Sequence, residues 1–203
     1  MKYLIYATGA LLFCTVLSGC SKDKQEEQPP SANHLYGQYD FLGITIKGTV
    51  NTDHQYESDR TLTTSHLDYV TTANEGVVTI DEAHLSVAGL AYRVLDTEVK
   101  TTGTLNGVEL PESIGYINAA IGKEDLTASL ELKQKDSVHL DGFNFVIAAT
   151  GGYFYPAYAK TYHYSWEPDS VLVLTARDLS EDIQTYTQIK RDVIYTTRLK
   201  KHH

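Results

Sequence analysis

Leu126-Thr127-Ala128-Ser129-Leu130-Glu131-Leu132-Lys133 decides the fold class of this chain. Apolar and polar residues alternate without a break, which is the period of a half-buried strand and not of a helix. The same period recurs in both directions along the sequence. Ile44, Ile46, Gly48 and Val50 alternate with Thr45, Lys47 and Thr49. Phe143, Phe145 and Ile147 alternate with Asn144 and Val146, and Ile189, Arg191, Val193, Tyr195, Thr197 and Leu199 form a less regular repeat. Val171 to Leu174 is a short continuous apolar run, as in a strand buried on both faces. Thr, Val, Tyr and Ile suit pleated surfaces.

Turn signals separate these runs. Glu75-Gly76, Asn106-Gly107, Asp141-Gly142 and Gly151-Gly152 are dipeptides that take positive φ at little cost. Asn106-Gly107 and Asp141-Gly142 are the strongest hairpin signals among them. Short strands with regular turns predict an all-β domain, an antiparallel β-barrel with a β-sandwich as the alternative. One segment departs from the pattern. Between Leu110 and Gly122, Ile114, Ile117 and Ile121 are spaced by three and four, Pro111 suits a helix start and Gly122 a stop. This predicts one short helix, packed on the sheet or plugging one end of it. Asp178-Leu179-Ser180-Glu181-Asp182 reads as an acidic loop between the last two strands.

The N-terminus has a different character. Lys2 precedes an apolar run from Tyr3 to Leu17, and Ser18-Gly19 lead into Cys20. This order has the parts of a secretory signal, and Leu17-Ser18-Gly19-Cys20 resembles a bacterial lipobox. The resemblance implies cleavage before Cys20 and acyl chains such as palmitate on its sulfur, which would attach the protein to a membrane. Stable attachment takes more than one chain, as bacterial lipoproteins carry. Cys14 falls inside the signal, so the mature chain is left with neither a disulfide nor a free thiol. Ser21 to Asn33 is almost free of apolar residues and reads as a disordered tether. The expected organisation is a signal peptide over 1–19, a lipidated cysteine and tether over 20–34, one β-rich domain over 35–199, and a frayed tail over 200–203.

The net charge of −9 and the absence of a basic stripe with interleaved aromatics argue against nucleic-acid partners. A lipobox, a polar tether and one β-rich domain with a mid-chain helix resemble lipoproteins of Bacteroidetes, some of them with lipocalin-like (calycin) barrels. Gly37-Gln38-Tyr39 is similar to the Gly-x-Trp opening of lipocalins, with Tyr in place of Trp. The acids after Cys20 resemble the export tag of surface lipoproteins, although Lys22 and Lys24 interrupt them. The resemblance implies an outer-membrane lipoprotein, on either the periplasmic or the outer face, and implies no activity.

The most unusual composition runs from Gly151 to Trp166. As a strand, its second half puts Tyr158, Lys160, Tyr162, Tyr164 and Trp166 on one face. Such a face either packs into the core with its hydroxyls at the rim or binds a ligand. Tyr158, Tyr162, Tyr164 and Trp166 are therefore the candidate binding residues, for a glycan stacked on the rings or for a small apolar molecule in a pocket. Asp81, Glu82 and His84, and the pair Asp53-His54, fall short of the three or four ligands that a metal site needs. No nucleophile elbow, phosphate loop or zinc-protease motif occurs. Adjacent acids such as Glu124-Asp125 do not show the spaced carboxyl pair of a glycosidase. The expectation is a non-enzymatic binding module without metal or cofactor. A structural role, as an adhesin or an accessory subunit with an envelope protein partner, is the alternative.

Overall fold

The computed structural model describes residues 34–134, 136–142, 145 and 159–202. Cys20, the signal segment, Tyr158, the Gly151-Gly152 turn and most of the predicted strand around Phe143 lie outside the described residues. Among the described residues nine strands run in chain order: β1 (Gly37–Tyr56), β2 (Asp59–Val70), β3 (Thr72–Ile80), β4 (His84–Leu105), β5 (Val108–Gln134), β6 (Ser137–Asp141), β7 (Ala159–Glu167), β8 (Val171–Gln184) and β9 (Thr187–Lys201). Each pairs antiparallel with its neighbour in one sheet, and β9 pairs with β1 over almost its whole length. The hydrogen bonds therefore close into a ring, as in a barrel.

β2 and β3 act as one bent strand. β2 pairs with the second half of β1 and β3 with its first residues, and β4 pairs with both. The bend falls at Thr71, whose Oγ1 accepts the N–H of Ile44 at 2.9 Å, while Thr71 N donates to Ile44 O at 2.9 Å. Eight strand positions thus circle the ring.

The inward positions are those that alternation predicts. Ile44, Ile46 and Val50 of β1, Ala128 and Leu130 of β5, and Val193, Tyr195 and Leu199 of β9 are buried. The outward positions between them, such as Lys47, Glu131 and Lys133, are exposed. Phe145 lies past β6, fully buried, stacked on Phe41 with ring centroids 6.0 Å apart. Its carbonyl accepts the hydroxyl of Tyr92 at 3.1 Å.

Toward one end the strands outrun the ring. The far parts of β8, β9, β1, β2, β4 and β5 stay paired in that order. Asn106-Gly107 closes the β4–β5 hairpin there with positive φ at both residues, 52° and 81°, as a tight hairpin turn requires. Asn106 also reaches β2, accepting Arg60 N–H at 2.8 Å on Oδ1. Glu75-Gly76 is not a turn but an irregularity inside β3, where the register to β4 shifts.

Three sequence expectations are corrected here. Leu110 to Gly122 forms no helix; it is the middle of β5, paired with β4. Ile117 and Ile121 pack against the core from one face, while Ile114 points outward on the other, so the apparent helical stripe is split between two faces. Pro111 sits where the register shifts between Thr101 and Gly103. Its missing N–H is tolerated because bulges and edges are where a sheet accepts proline. Secondly, Asp178 to Asp182 is not a loop but part of β8, with Asp178 turned inward and buried. Thirdly, the tail is not frayed: β9 continues to Lys201, His202 N donates to Gln38 O at 2.8 Å, and His202 Nε2 meets Asp40 Oδ1 at 2.7 Å.

Candidate functional site

β7 carries the aromatic face singled out in the sequence. Its pairing with β6 and β8 fixes the direction of each side chain. Tyr162 is 1 % exposed and Tyr164 is 9 % exposed, both turned into the barrel, whereas Trp166 stands at the rim with 39 % exposure. Thr161, His163 and Ser165 face out. Three of the four candidate residues therefore share one face, but that face lines the interior instead of offering a flat outer platform. Tyr158 lies outside the described residues.

At the rim, Trp166 joins a small aromatic group. Its ring lies 6.5 Å from Tyr39 and 6.3 Å from His34, measured between centroids. Lys201 Nζ sits 5.7 Å from the centroids of both Tyr39 and Trp166 and donates to His34 O at 2.7 Å. Tyr39 Oη donates to Leu35 O at 2.5 Å, and burial pushes this phenol up to about 12. This contact ties the chain just before β1 across the rim.

The opposite end of the same face is polar. Lys160, the first inward β7 residue of the group described, lies 3.2 Å from Asp178 Oδ2 of β8, and the two side chains are only 7 % and 6 % exposed. The ammonium also stands 4.5 Å above the ring centroid of Tyr195. Asp178 lies directly across from Val193 on β9, so Arg191 and Tyr195 flank it diagonally. Arg191 is buried as well.

The electrostatics follow from burial. Desolvation lowers the Lys160 pKa, and the nearby Asp178 charge opposes that shift. Tyr162 and Tyr195 are held well above the ordinary phenol range, mainly by desolvation; Tyr195 is pushed further up by Asp178 and eased by Arg191. Lys160 Nζ and Asp178 Oδ2 have each other at 3.2 Å and no hydrogen-bond partner among the other described residues. Thr197 Oγ1, next inward along β9 from Tyr195, is unsatisfied in the same way. Buried polar atoms in folded proteins are nearly always bonded, and the exceptions cluster where a ligand, ion or water belongs.

The interior thus offers a strongly desolvated donor and acceptor at one end, tyrosine rings along the wall, and an aromatic rim at the other end. Sequence reasoning placed Lys160 on this face but did not see Asp178, because it read that stretch as a loop. The signal was present: Leu174, Ala176 and Asp178 continue a period of two.

The weaker sequence candidates are occupied otherwise. Asp53 is bidentate to Arg60, at 3.0 and 2.6 Å, and His54 Nδ1 meets Thr187 Oγ1 at 2.9 Å. Asp81 accepts the N–H groups of Ala83 and His84, which hold its pKa below the usual carboxylate value. Among the described residues no three His, Cys, Asp or Glu converge as metal ligands.

No protein-family model matches the chain, and no curated protein matches it.

Proposed function

We propose that this protein is a membrane-anchored lipoprotein whose barrel holds a small, largely apolar ligand with one polar group. The observation that carries the reading is the buried charged pair Lys160 Nζ and Asp178 Oδ2, which has no hydrogen-bond partner among the other described residues, on an otherwise aliphatic and aromatic interior wall. Such a pair accepts a neutral group that both gives and takes a hydrogen bond, such as a hydroxyl or an amide. A ring of eight strands is the size at which the interior is filled by side chains or holds one small molecule. Outward positions include charged residues such as Lys47, Glu131 and Lys133, which the apolar outer band of a membrane-spanning barrel disfavours. On this reading lipid on Cys20 supplies the attachment, and the envelope, at the outer membrane, is the place of action. A glycan is the second form of ligand, with Trp166 at the rim as the stacking surface for an end sugar.

Two measurements on the full chain test this. Cys20→Ser is expected to move the protein from the membrane fraction to the soluble fraction. Titration with the neutral fluorophore N-phenyl-1-naphthylamine is expected to show one saturable site that Tyr162→Trp weakens. Membrane retention of Cys20→Ser overturns the anchoring, and non-saturable fluorescence overturns the interior site.

A further inference from the structure

Two hairpin tips lie side by side at the outer end of the β1–β9 seam. Tyr56 is the last residue of β1 and opens the turn into β2, pairing with Asp59. Tyr186 sits in the turn between β8 and β9, which the pair Gln184 and Thr187 closes. The seam carries both tips into contact. His54 lies across from Thr187, with Nδ1 and Oγ1 of the two side chains 2.9 Å apart, and Gln55 N donates to Tyr186 O at 2.8 Å. The phenol rings of Tyr56 and Tyr186 meet edge to face, with centroids 5.7 Å apart and planes at 72°. Each residue is 56 % exposed. Aromatic pairs of this geometry commonly pack inside a core; here both rings stand in water, within reach of a solute. Tyr39, Tyr162 and Tyr195 are buried, and Tyr116, also exposed, makes no ring contact among the described residues.

We propose that Tyr56 and Tyr186 form an oxidative cross-linking site, joined within one chain as a dityrosine. The oxidant is hydrogen peroxide acting through a haem peroxidase, which takes one electron at a time from a phenol that solvent can reach. Each tyrosine loses one electron and its phenolic proton and becomes a phenoxyl radical, with spin on the carbons ortho to oxygen. One ortho carbon of each ring joins in a C–C bond. The hydrogen on each of those carbons moves to its own ring's oxygen, which restores both phenols. The peroxide takes up the two electrons and two protons and leaves as two waters. Coupling goes to the neighbour already held in place, because a positioned partner turns a bimolecular step into a unimolecular one. The two rings need only slide from contact to bond length, and their exposure leaves them room to turn. The product is a twisted biaryl, and the rings already stand out of one plane. The bond closes a loop that takes in β2 to β8 whole and fastens the outer end of the β1–β9 seam. A covalent link across so long a loop constrains the unfolded chain.

The full chain, dilute and in mild detergent, is treated with a haem peroxidase and hydrogen peroxide. The expected product is a monomer lighter by two hydrogens, with the blue fluorescence of dityrosine. Trypsin assigns the bond, because fragments 48–60 and 178–190 each contain a single tyrosine, Tyr56 in one and Tyr186 in the other. The two fragments are expected to appear joined. Tyr56→Phe and Tyr186→Phe are each expected to lose the joined fragment with unchanged far-ultraviolet circular dichroism, since phenylalanine keeps the ring but has no phenol to oxidise. Tyr116→Phe is expected to keep it. The cross-linked protein is expected to unfold at a higher urea concentration than Tyr56→Phe treated in the same way. Absence of the joined fragment from the oxidised protein overturns the proposal. So does a joined fragment found only between two copies, or one that forms as readily in urea-unfolded chain as in the folded protein. Equal urea midpoints overturn the fastening of the seam. None of these readouts depends on ligand in the barrel or on lipid at Cys20.

Discussion

Lys160 and Asp178 face one another at 3.2 Å on the inner side of neighbouring strands, almost wholly removed from solvent. Removing one partner of a buried pair leaves the other charge uncompensated and typically costs ~3–5 kcal/mol, whereas replacing both with apolar residues of similar volume is often neutral or stabilising. Lys160→Met alone is therefore expected to lower stability by about 3 kcal/mol or more in urea unfolding, and the double change Lys160→Met with Asp178→Leu to recover most of that loss. Comparable losses in the single and double variants would show that the two charges do not compensate one another. The same double variant is expected to lose preference for ligands bearing a hydroxyl or amide, because the donor and acceptor are gone.

The buried tyrosines give the protein an alkaline limit. Tyr39, Tyr69, Tyr162 and Tyr195 all have phenols raised above the ordinary value of 10, by desolvation first, and Tyr39 reaches about 12. An unfolded chain releases these protons first, so between the unfolded and folded values the native state binds more protons. The stability these groups contribute is complete below about pH 10 and is lost as pH rises through the folded values. The buried set is expected to add its absorbance at the tyrosinate band only with loss of the circular dichroism signal. A single step with the fold intact would mean that the interior phenols are open to solvent.

Gly48 of β1 lies directly across from Val193 of β9. A Cβ there would lie 2.1 Å from Asp192 O and 2.6 Å from the Val193 Cα, both backbone atoms that cannot step aside. Gly89 also has positive φ, at 63°, but a Cβ there would meet nothing within 4 Å. Gly89→Ala is expected to cost about 1 kcal/mol, the usual penalty of a left-handed residue. Gly48→Ala is expected to cost well over that, about 2–4 kcal/mol, by forcing the ring-closing strands apart. Equal costs in urea unfolding would mean that the β1–β9 seam yields easily.

Legibility followed solvent. Where one face is dry and the other wet, as at Leu126 to Lys133 or Ile44 to Val50, alternation identified strand and inward face together. Along the extension one face is wet and the other only half-buried, so apolar alternation is weak. The Thr-rich stretches of β2 and the far half of β4 therefore gave no strand signal, and β5 could imitate a helix through three isoleucines on two different faces. Turn chemistry was clear at Asn106-Gly107, where a two-residue hairpin demands positive φ twice, and misleading at Glu75-Gly76, where glycine serves an irregular strand. The aromatic face of β7 could be read from spacing alone. Its polar end could not, because Lys160 and Asp178 meet only through the packing of two strands.

The seam between β1 and β9 joins elements far apart in sequence: Asp40 and His202 touch across 162 residues of chain. Contacts so distant in sequence are slow to form, since the loop-closure entropy precedes any gain from pairing. A chain that emerges from its N-terminus first holds β1 without this partner until Lys201 is released. The last residues of β9 thus complete the ring: shortening β9 by a few positions would leave the first strand open to any passing edge, and would convert a truncation within β9 into an aggregation defect.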